Sequence, residues 1–215
     1  MNRRRALMGA QEQIHPILPA EYQEVEWIQS SGGQCINTNV NMAGDTATEK
    51  KKDLHNFKME VDVSVHSENP GTIIMSIGVQ AGCWMGMVSG GTAIGYSNQA
   101  FNANITDKNK VYMWWENETD IIGHCSCGNE VLTRTTPITT VDMNRRFSFF
   151  SDSGRSYPSK CRIYRAKLYK FNQAIRDLIP CYRISDNVIG MYDIVHDVFY
   201  TNSGTGTFTK GADVN

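Results

Sequence analysis

Apolar and polar residues alternate without interruption over residues 57–66. Because successive side chains of a β-strand point to opposite faces, this period of two predicts a half-buried strand. Its odd positions, from Phe57 to Val65, are expected in the core. The residues expected to face water or a partner are Lys58, Glu60, Asp62, Ser64 and His66.

Shorter runs rich in β-branched and aromatic residues follow, separated by turn signals such as residues 69–71, 89–91, 127–129 and 152–154. The runs cover residues 72–79, 83–88, 92–96, 111–115, 129–135, 146–150 and 162–171. Many short strands without long amphipathic helices favour an all-β, antiparallel sandwich over βαβ folds. Residues 41–54 are expected to form a solvated, mobile loop, and residues 172–177 a helical turn.

The composition fits one globular domain. The chain has 215 residues, of which 40% are hydrophobic and 20% charged, with a formal net charge of -1. So small a net charge gives no general attraction to nucleic acid, and no apolar run approaches the roughly 18 residues of a membrane span. We therefore expect neither nucleic-acid nor membrane partners.

The N-terminal residues 1–17 show neither strand nor helix periodicity and end in a proline-stiffened stretch. The apolar run after the three arginines is too short for a secretory signal, so no export is expected and the six cysteines are expected to be reduced. We interpret residues 1–17 as an anchoring arm and residues 18–215 as the folded domain; a frayed terminus is the alternative. The candidate anchoring residues are Arg3, Arg4, Arg5, Leu7 and Met8.

Both ends of the domain carry distinctive segments. Residues 18–38 read LPAEYQEVEWIQSSGGQCINT, and the closing segments are LIPCYR at 178–183, GMYD at 190–193 and VFYTNSGTG at 198–206. Together they resemble the opening and closing motifs of laminin-G/concanavalin-A-like jelly rolls found in phage and prophage structural proteins and in gut bacterial surface proteins. Trp27 stands where that family usually has Tyr, and Cys35 where it usually has an aromatic residue; both positions are expected to be buried.

The resemblance implies a two-sheet jelly roll whose first and last segments lie side by side, with residues 193–197 connecting the last two strands. It also implies a non-catalytic protein of a tailed-phage virion, in capsid or tail, with other virion proteins and host-surface glycans as partners, and a homo-oligomeric state. A bacterial surface adhesin that binds glycans is the alternative, and a glycosidase is a third hypothesis.

Glycosidases with this type of sandwich use the strand motif E-x-D-x-x-E. Glu60 and Asp62 fit its first two positions, but Val65 occupies the third and cannot exchange a proton. We therefore predict no catalytic residues and interpret the two carboxylates as part of a solvated strand face.

The sequence contains only a weak pattern of metal-ligating residues. Cys125 and Cys127 follow His124 at strand spacing, but a second cysteine pair, which a structural zinc site needs, is missing from the sequence. Two cysteines facing the core are the preferred interpretation. The acidic residues near turns are scattered singly, which does not suit calcium. Neither a metal nor a cofactor is expected.

Tryptophans are the candidate glycan-binding residues, because an indole face complements the apolar face of a hexose. Trp114 and Trp115 are adjacent and must point to opposite faces of a shared strand, so at most one of them lies in the core. We predict that the outward member of this pair contributes to a glycan-binding face. Trp84 is a further aromatic candidate.

Overall fold

A computed structural model describes residues 18–65, 72–77, 84–87, 94–96, 99–100, 107–116, 120–133, 145–152 and 157–215. Within these ranges the regular secondary structure is β-strand except for one short helix. In chain order the elements are β1 (Tyr22–Glu24), β2 (Ile28–Gln29), β3 (Ile36–Asn37), α1 (Ala47–Leu54), β4 (Phe57–Val65), β5 (Thr72–Ser76), β6 (Trp84–Met87), β7 (Ile94–Tyr96), β8 (Gln99–Ala100), β9 (Asn109–Glu116), β10 (Ile122–Cys127), β11 (Glu130–Thr133), β12 (Ser148–Phe149), β13 (Cys161–Lys170), β14 (Gln173–Arg183), β15 (Val188–Asp193), β16 (Val198–Thr201) and β17 (Thr209–Lys210).

The strands form two antiparallel sheets. Among the described residues, the large sheet has eleven strands in the order β11-β10-β9-β4-β13-β14-β15-β16, with β1 paired to β14 and β2 paired to both β13 and β17. The small sheet has six strands in the same part of the chain, in the order β3-β12-β5-β6-β7-β8. The prediction of an all-β, antiparallel fold with two sheets is confirmed.

One hydrophobic cluster joins the two sheets. The large sheet contributes Val61, Met113 and Leu168, and the small sheet contributes Ile74 and Phe149; all five are at most 1% exposed. Removing apolar surface from water stabilises the fold by roughly 25 cal/mol per Å². Each sheet therefore needs the other to cover its apolar face.

Strand β4 lies in the middle of the large sheet, between β9 and β13. Its odd positions are buried, as the alternation predicts. Two even positions differ from the expectation: Glu60 is 8% exposed and Ser64 is 0% exposed. They lie on the outer face but are covered by neighbouring side chains, as the Ser64 hydroxyl lies 3.1 Å from the Tyr164 hydroxyl. His66 lies outside the described residues.

The two ends of the domain lie side by side, as expected. Strand β1 pairs Tyr22 with Arg183 of β14, and β2 pairs with β17. Buried Gln34 donates a hydrogen bond to the Thr207 carbonyl at 2.9 Å, and the Asn202 side-chain oxygen accepts one from the Cys35 amide at 3.0 Å. The last two long strands, β15 and β16, form the expected hairpin through residues 194–197.

The two positions that depart from the family pattern behave differently. Cys35 is 1% exposed, as predicted. The prediction of burial is wrong for Trp27, which is only half-buried on the surface of the domain. The Arg162 guanidinium stacks over its ring at 4.2 Å from the ring centre, so the indole is covered by a cation instead of by the core.

Residues 41–54 were expected to form a mobile loop, but they contain helix α1. Thr46 caps its N-terminus by accepting a hydrogen bond from the Glu49 amide, and the Glu49 carboxylate accepts one from the Thr46 amide in return. This capping box offsets the poor apolar pattern of the segment, and Leu54 anchors the last turn in the core. No helix in the described part of the chain is long and apolar enough to span a membrane.

The helical turn expected at residues 172–177 does not form; the segment instead begins strand β14. Phe171 and Asn172 have φ angles of 51° and 60°. Two consecutive positive φ angles are typical of the tight turns that match the twist of paired strands, so β13 and β14 form a hairpin.

The lack of a side chain at Gly190 allows β15 and β16 to pack closely. A methyl group at this position would overlap the Tyr200 carbonyl oxygen and lie 2.9 Å from the Phe199 ring. We expect Gly190→Ala to lower the free energy of unfolding, measured by chemical denaturation, by about 3 kcal/mol.

The matched control is Gly128→Ala, where no atom lies within 4 Å of the added methyl group but φ is +58°. It is expected to cost only about 1 kcal/mol, from backbone strain. Equal losses in the two variants would contradict the packing argument.

Candidate functional site

The outer face of the large sheet, turned away from the small sheet, carries the candidate site. Alternation along β9 places Val111, Met113 and Trp115 in the core and leaves Tyr112 and Trp114 on the outer face.

The cross-strand register sets Trp114 opposite Lys58 of β4 on one side and opposite His124 of β10 on the other. Tyr169 of β13 lies opposite Lys58 in turn.

The predicted tryptophan pair is divided between the two faces of β9. Trp115 is 2% exposed and contacts Phe147 edge-on at 6.2 Å between ring centres. It therefore cannot contact a ligand at the surface, and of the two predicted glycan-binding residues only Trp114 is placed where it could do so. Trp84 lies on β6 of the small sheet and is half-buried.

Lys58, Tyr112, Trp114 and Ser126 line an open cleft of about 320 Å³ on this face. The Trp114 ring stacks on the His124 ring with 5.2 Å between centres and an interplanar angle of 11°. Since His124 covers one side of the indole, the side towards Lys58 borders the cleft. A half-buried aromatic wall next to a hydroxyl and an ammonium group can bind a ligand with apolar and polar faces.

Lys58 lies above two aromatic rings. Its ammonium nitrogen is 4.2 Å from the centre of the Tyr112 ring and 5.6 Å from that of Tyr169. The negative face of each ring attracts the cation without neutralising it. The two tyrosines therefore help to hold the ammonium group at the cleft.

A network of ion pairs borders the cleft. The Glu60 carboxylate accepts hydrogen bonds from the Lys110 ammonium at 2.8 Å and from the Tyr169 hydroxyl at 3.0 Å. Burial raises the pKa of Glu60, but these hydrogen bonds outweigh burial and hold the pKa below its ordinary value. The pKa of Tyr169 is raised by burial and by its hydrogen bond to Glu60, so Tyr169 stays a proton donor.

The same network bears on the glycosidase hypothesis. A general acid must keep its proton near neutral pH, which requires a raised pKa. The Lys110 and Tyr169 contacts shift the pKa of Glu60 in the opposite direction. Asp62, the second carboxylate of the partial motif, lies 3.6 Å from the Lys110 ammonium. This arrangement fits a structural ion-pair cluster.

The cysteine motif does not assemble a metal site. Cys125 and Cys127 are buried, as predicted, whereas His124 lies on the opposite face of β10. Within the described ranges no group of three or more potential ligands could hold a metal ion. Cys161 and Cys181 are buried free thiols, and burial raises the pKa of each to about 12.

A second polar cluster was missed by the sequence analysis. Asp193 is fully buried and its carboxylate accepts hydrogen bonds from the Asp177 and Val195 amides at 3.0 and 3.1 Å. His196 Nδ1 and Arg176 Nε lie 3.2 and 3.4 Å from its other oxygen. These contacts fix the turn between β15 and β16, so we assign the cluster a structural role.

Tyr112, Lys58 and Tyr169 were also not predicted as parts of one site. Their outward orientation follows from strand alternation, but their proximity depends on the register of three strands distant in sequence. The candidate anchoring residues Arg3, Arg4, Arg5, Leu7 and Met8 lie outside the described residues. No model of a known protein family matches this chain, and no curated protein matches it.

The Glu60 network predicts a pH-dependent contribution to stability. Because folding lowers the pKa of Glu60 from its ordinary 4.5, the ionised network stabilises the fold above about pH 4.5, and this contribution is lost as pH falls through the lower folded-state pKa. Glu60→Gln is expected to lower the free energy of unfolding by about 1 to 2 kcal/mol at pH 7, with a smaller difference in acid.

Denaturation of both proteins between pH 7 and pH 3 measures this difference. Glu26→Gln, which changes an exposed carboxylate, is the control and should have little effect at any pH. A difference between Glu60→Gln and the unchanged protein that stays constant across this range would refute the linkage.

Proposed function

We propose that this chain is a non-catalytic protein of a tailed-phage virion that recognises host glycans through the cleft on the outer face of its large sheet. The observation that carries the recognition part is the cleft itself, in which Trp114, Tyr112, Lys58 and Ser126 converge. Pyranose rings have an apolar C–H face and a rim of hydroxyl groups. An indole wall beside polar side chains is complementary to both.

The rigidity of the cleft supports this proposal. Trp114 is held by its stack on His124 and by a hydrogen bond of 3.3 Å from its indole nitrogen to the Glu116 carboxylate. Tyr112 lies under the Lys58 ammonium. A wall that is already ordered loses little conformational entropy on binding. This lower cost helps the cleft to bind ligands that make few contacts, such as single sugar chains.

The non-catalytic part is supported by the carboxylates of this face. Glu60 and Asp62 are engaged by Lys110, and the pKa of Glu60 is lowered instead of raised. The virion part is supported by the likeness of the chain's opening and closing segments to phage structural proteins. Fold and cleft by themselves would suit a bacterial surface adhesin equally well.

Trp114→Ala tests the recognition site. On a glycan array, the unchanged protein should bind one or more saccharides, and Trp114→Ala should bind them at least about tenfold more weakly because the stacking surface is lost. The control is Trp27→Ala, which removes another half-buried surface tryptophan. Trp27 lies next to β2, which pairs with the end of β13 that is distant from the cleft. The two tryptophans are therefore separated by roughly 20 Å along the sheet.

Equal binding by Trp114→Ala and the unchanged protein would show that the cleft is not the glycan-binding site. A loss of binding in both tryptophan variants would indicate a general effect on the fold, which circular dichroism and denaturation measure independently.

Removal of residues 1–17 tests the virion assignment. Purified particles analysed by mass spectrometry should contain the full-length protein, whereas the truncated protein should fold but be absent from particles. Normal incorporation of the truncated protein would contradict the anchoring role. Full-length protein that fractionates with the bacterial envelope and not with particles would favour the adhesin.

A further inference from the structure

We propose that the saccharide recognised by this cleft is negatively charged, carrying a carboxylate, sulfate or phosphate group that binds the Lys58 ammonium. This inference rests on the proposed glycan-binding function and specifies the class of ligand. It follows from the distribution of charge across the outer face of the large sheet.

Cations near the cleft on this face are paired with carboxylates. Lys110 lies 2.8 Å from Glu60. Arg165 and Lys167 both contact Asp177, at 2.8 and 3.3 Å. Lys110 also lies 3.6 Å from Asp62, so these three cations face three carboxylates and offer little net charge to a ligand.

Lys58 is different. Among the residues that the structure describes, no carboxylate lies within ion-pair distance of its ammonium group, which lies over the rings of Tyr112 and Tyr169. Aromatic rings attract a cation without neutralising it, and a half-buried ammonium group has lost part of its hydration. An anion that entered the cleft would gain a charge-assisted hydrogen bond there.

Glu60 and Glu116, two of the described carboxylates beside the cleft, accept hydrogen bonds from other donors. Glu60 accepts from Lys110 and Tyr169. Glu116, on the other side of Trp114, accepts from the Trp114 indole and lies 3.3 Å from His124 Nε2. The positive end of the cleft is therefore at Lys58, and the negative side chain at Glu116 disfavours an anion bound in the reverse orientation.

These positions define how the ligand would lie. Its sugar ring packs on the side of Trp114 that borders the cleft, its anionic group meets Lys58, and a ring hydroxyl reaches Ser126, whose side chain lines the same cleft. A lysine is a compact charge and does not discriminate strongly among carboxylate, sulfate and phosphate. The charge of the saccharide, more than the geometry of its anionic group, is the feature recognised.

The test uses the full-length chain on an array of paired saccharides, in which each backbone is present in neutral, carboxylated, sulfated and phosphorylated forms. At least one charged form should bind about tenfold or more tightly than its neutral partner, and this preference should weaken as salt is raised from 0.05 to 0.5 M, roughly a threefold reduction in the Debye length. Lys58→Met should reduce binding of the charged form to the level of the neutral form. Lys58→Arg should retain most of the preference.

Lys210→Met is the matched control. Lys210 also lies over a tyrosine ring, 4.6 Å from the centre of Tyr182, but it is paired with Asp213. Its loss removes the same charge from the protein and should leave saccharide binding unchanged. An equal loss in Lys58→Met and Lys210→Met would show an effect of net charge alone and would overturn the inference.

The outcomes separate this inference from the proposed function. If neutral and charged saccharides bind equally, or if Lys58→Met keeps the preference for charge, the inference fails while Trp114-dependent glycan binding stands. If no saccharide binds in any form, the glycan-binding function itself fails.

Discussion

The alternating side chains of β4 are the constraint on which the rest of the structure depends. Met59, Val61 and Val63 are fully buried between the sheets, and the residues between them face outwards. Because β4 pairs with β9 on one side and β13 on the other, its position fixes which side of both neighbours faces the core. A register slip of one residue would place Lys58 and Glu60 in the core and destroy both the packing and the cleft.

The same sheet also pairs the opening segment of the chain with segments from its second half. The opening segment supplies β1 and β2, which pair with β14, β13 and β17 from the second half of the chain. The buried amide of Gln34 accepts hydrogen bonds from Ser30 and from nearby backbone amides while donating to Thr207. Such a satisfied buried polar group ties the two ends in one register, since any displacement would leave its hydrogen bonds unmade.

The outer face of the large sheet combines a network of ion pairs with an open cleft. Its ion pairs are partly buried and mutually satisfied, which keeps the pKa of Glu60 low and keeps its carboxylate charged. Lys58 departs from this pattern because its partners are aromatic rings. The cleft therefore has a positive charge at Lys58 and a negative charge at Glu116, on the other side of Trp114. In the proposed function, Lys58 selects among saccharides that the Trp114 wall alone would not distinguish.

The sequence by itself determined the class of fold, the alternation of β4, the division of Trp114 and Trp115 between opposite faces, and the pairing of the chain's two ends. These features depend on local periodicity, on adjacent residues or on recognisable end segments. It did not reveal α1, whose stability comes from the Thr46–Glu49 capping box and the burial of Leu54, or the tight turn at Phe171 and Asn172. Only the tertiary structure decided that Lys58, Tyr112 and Ser126 line one cleft with Trp114, and that Trp27 lies under Arg162. The physical reason is that the direction of a side chain follows from its own strand, whereas its neighbours follow from the register between strands that are far apart in sequence.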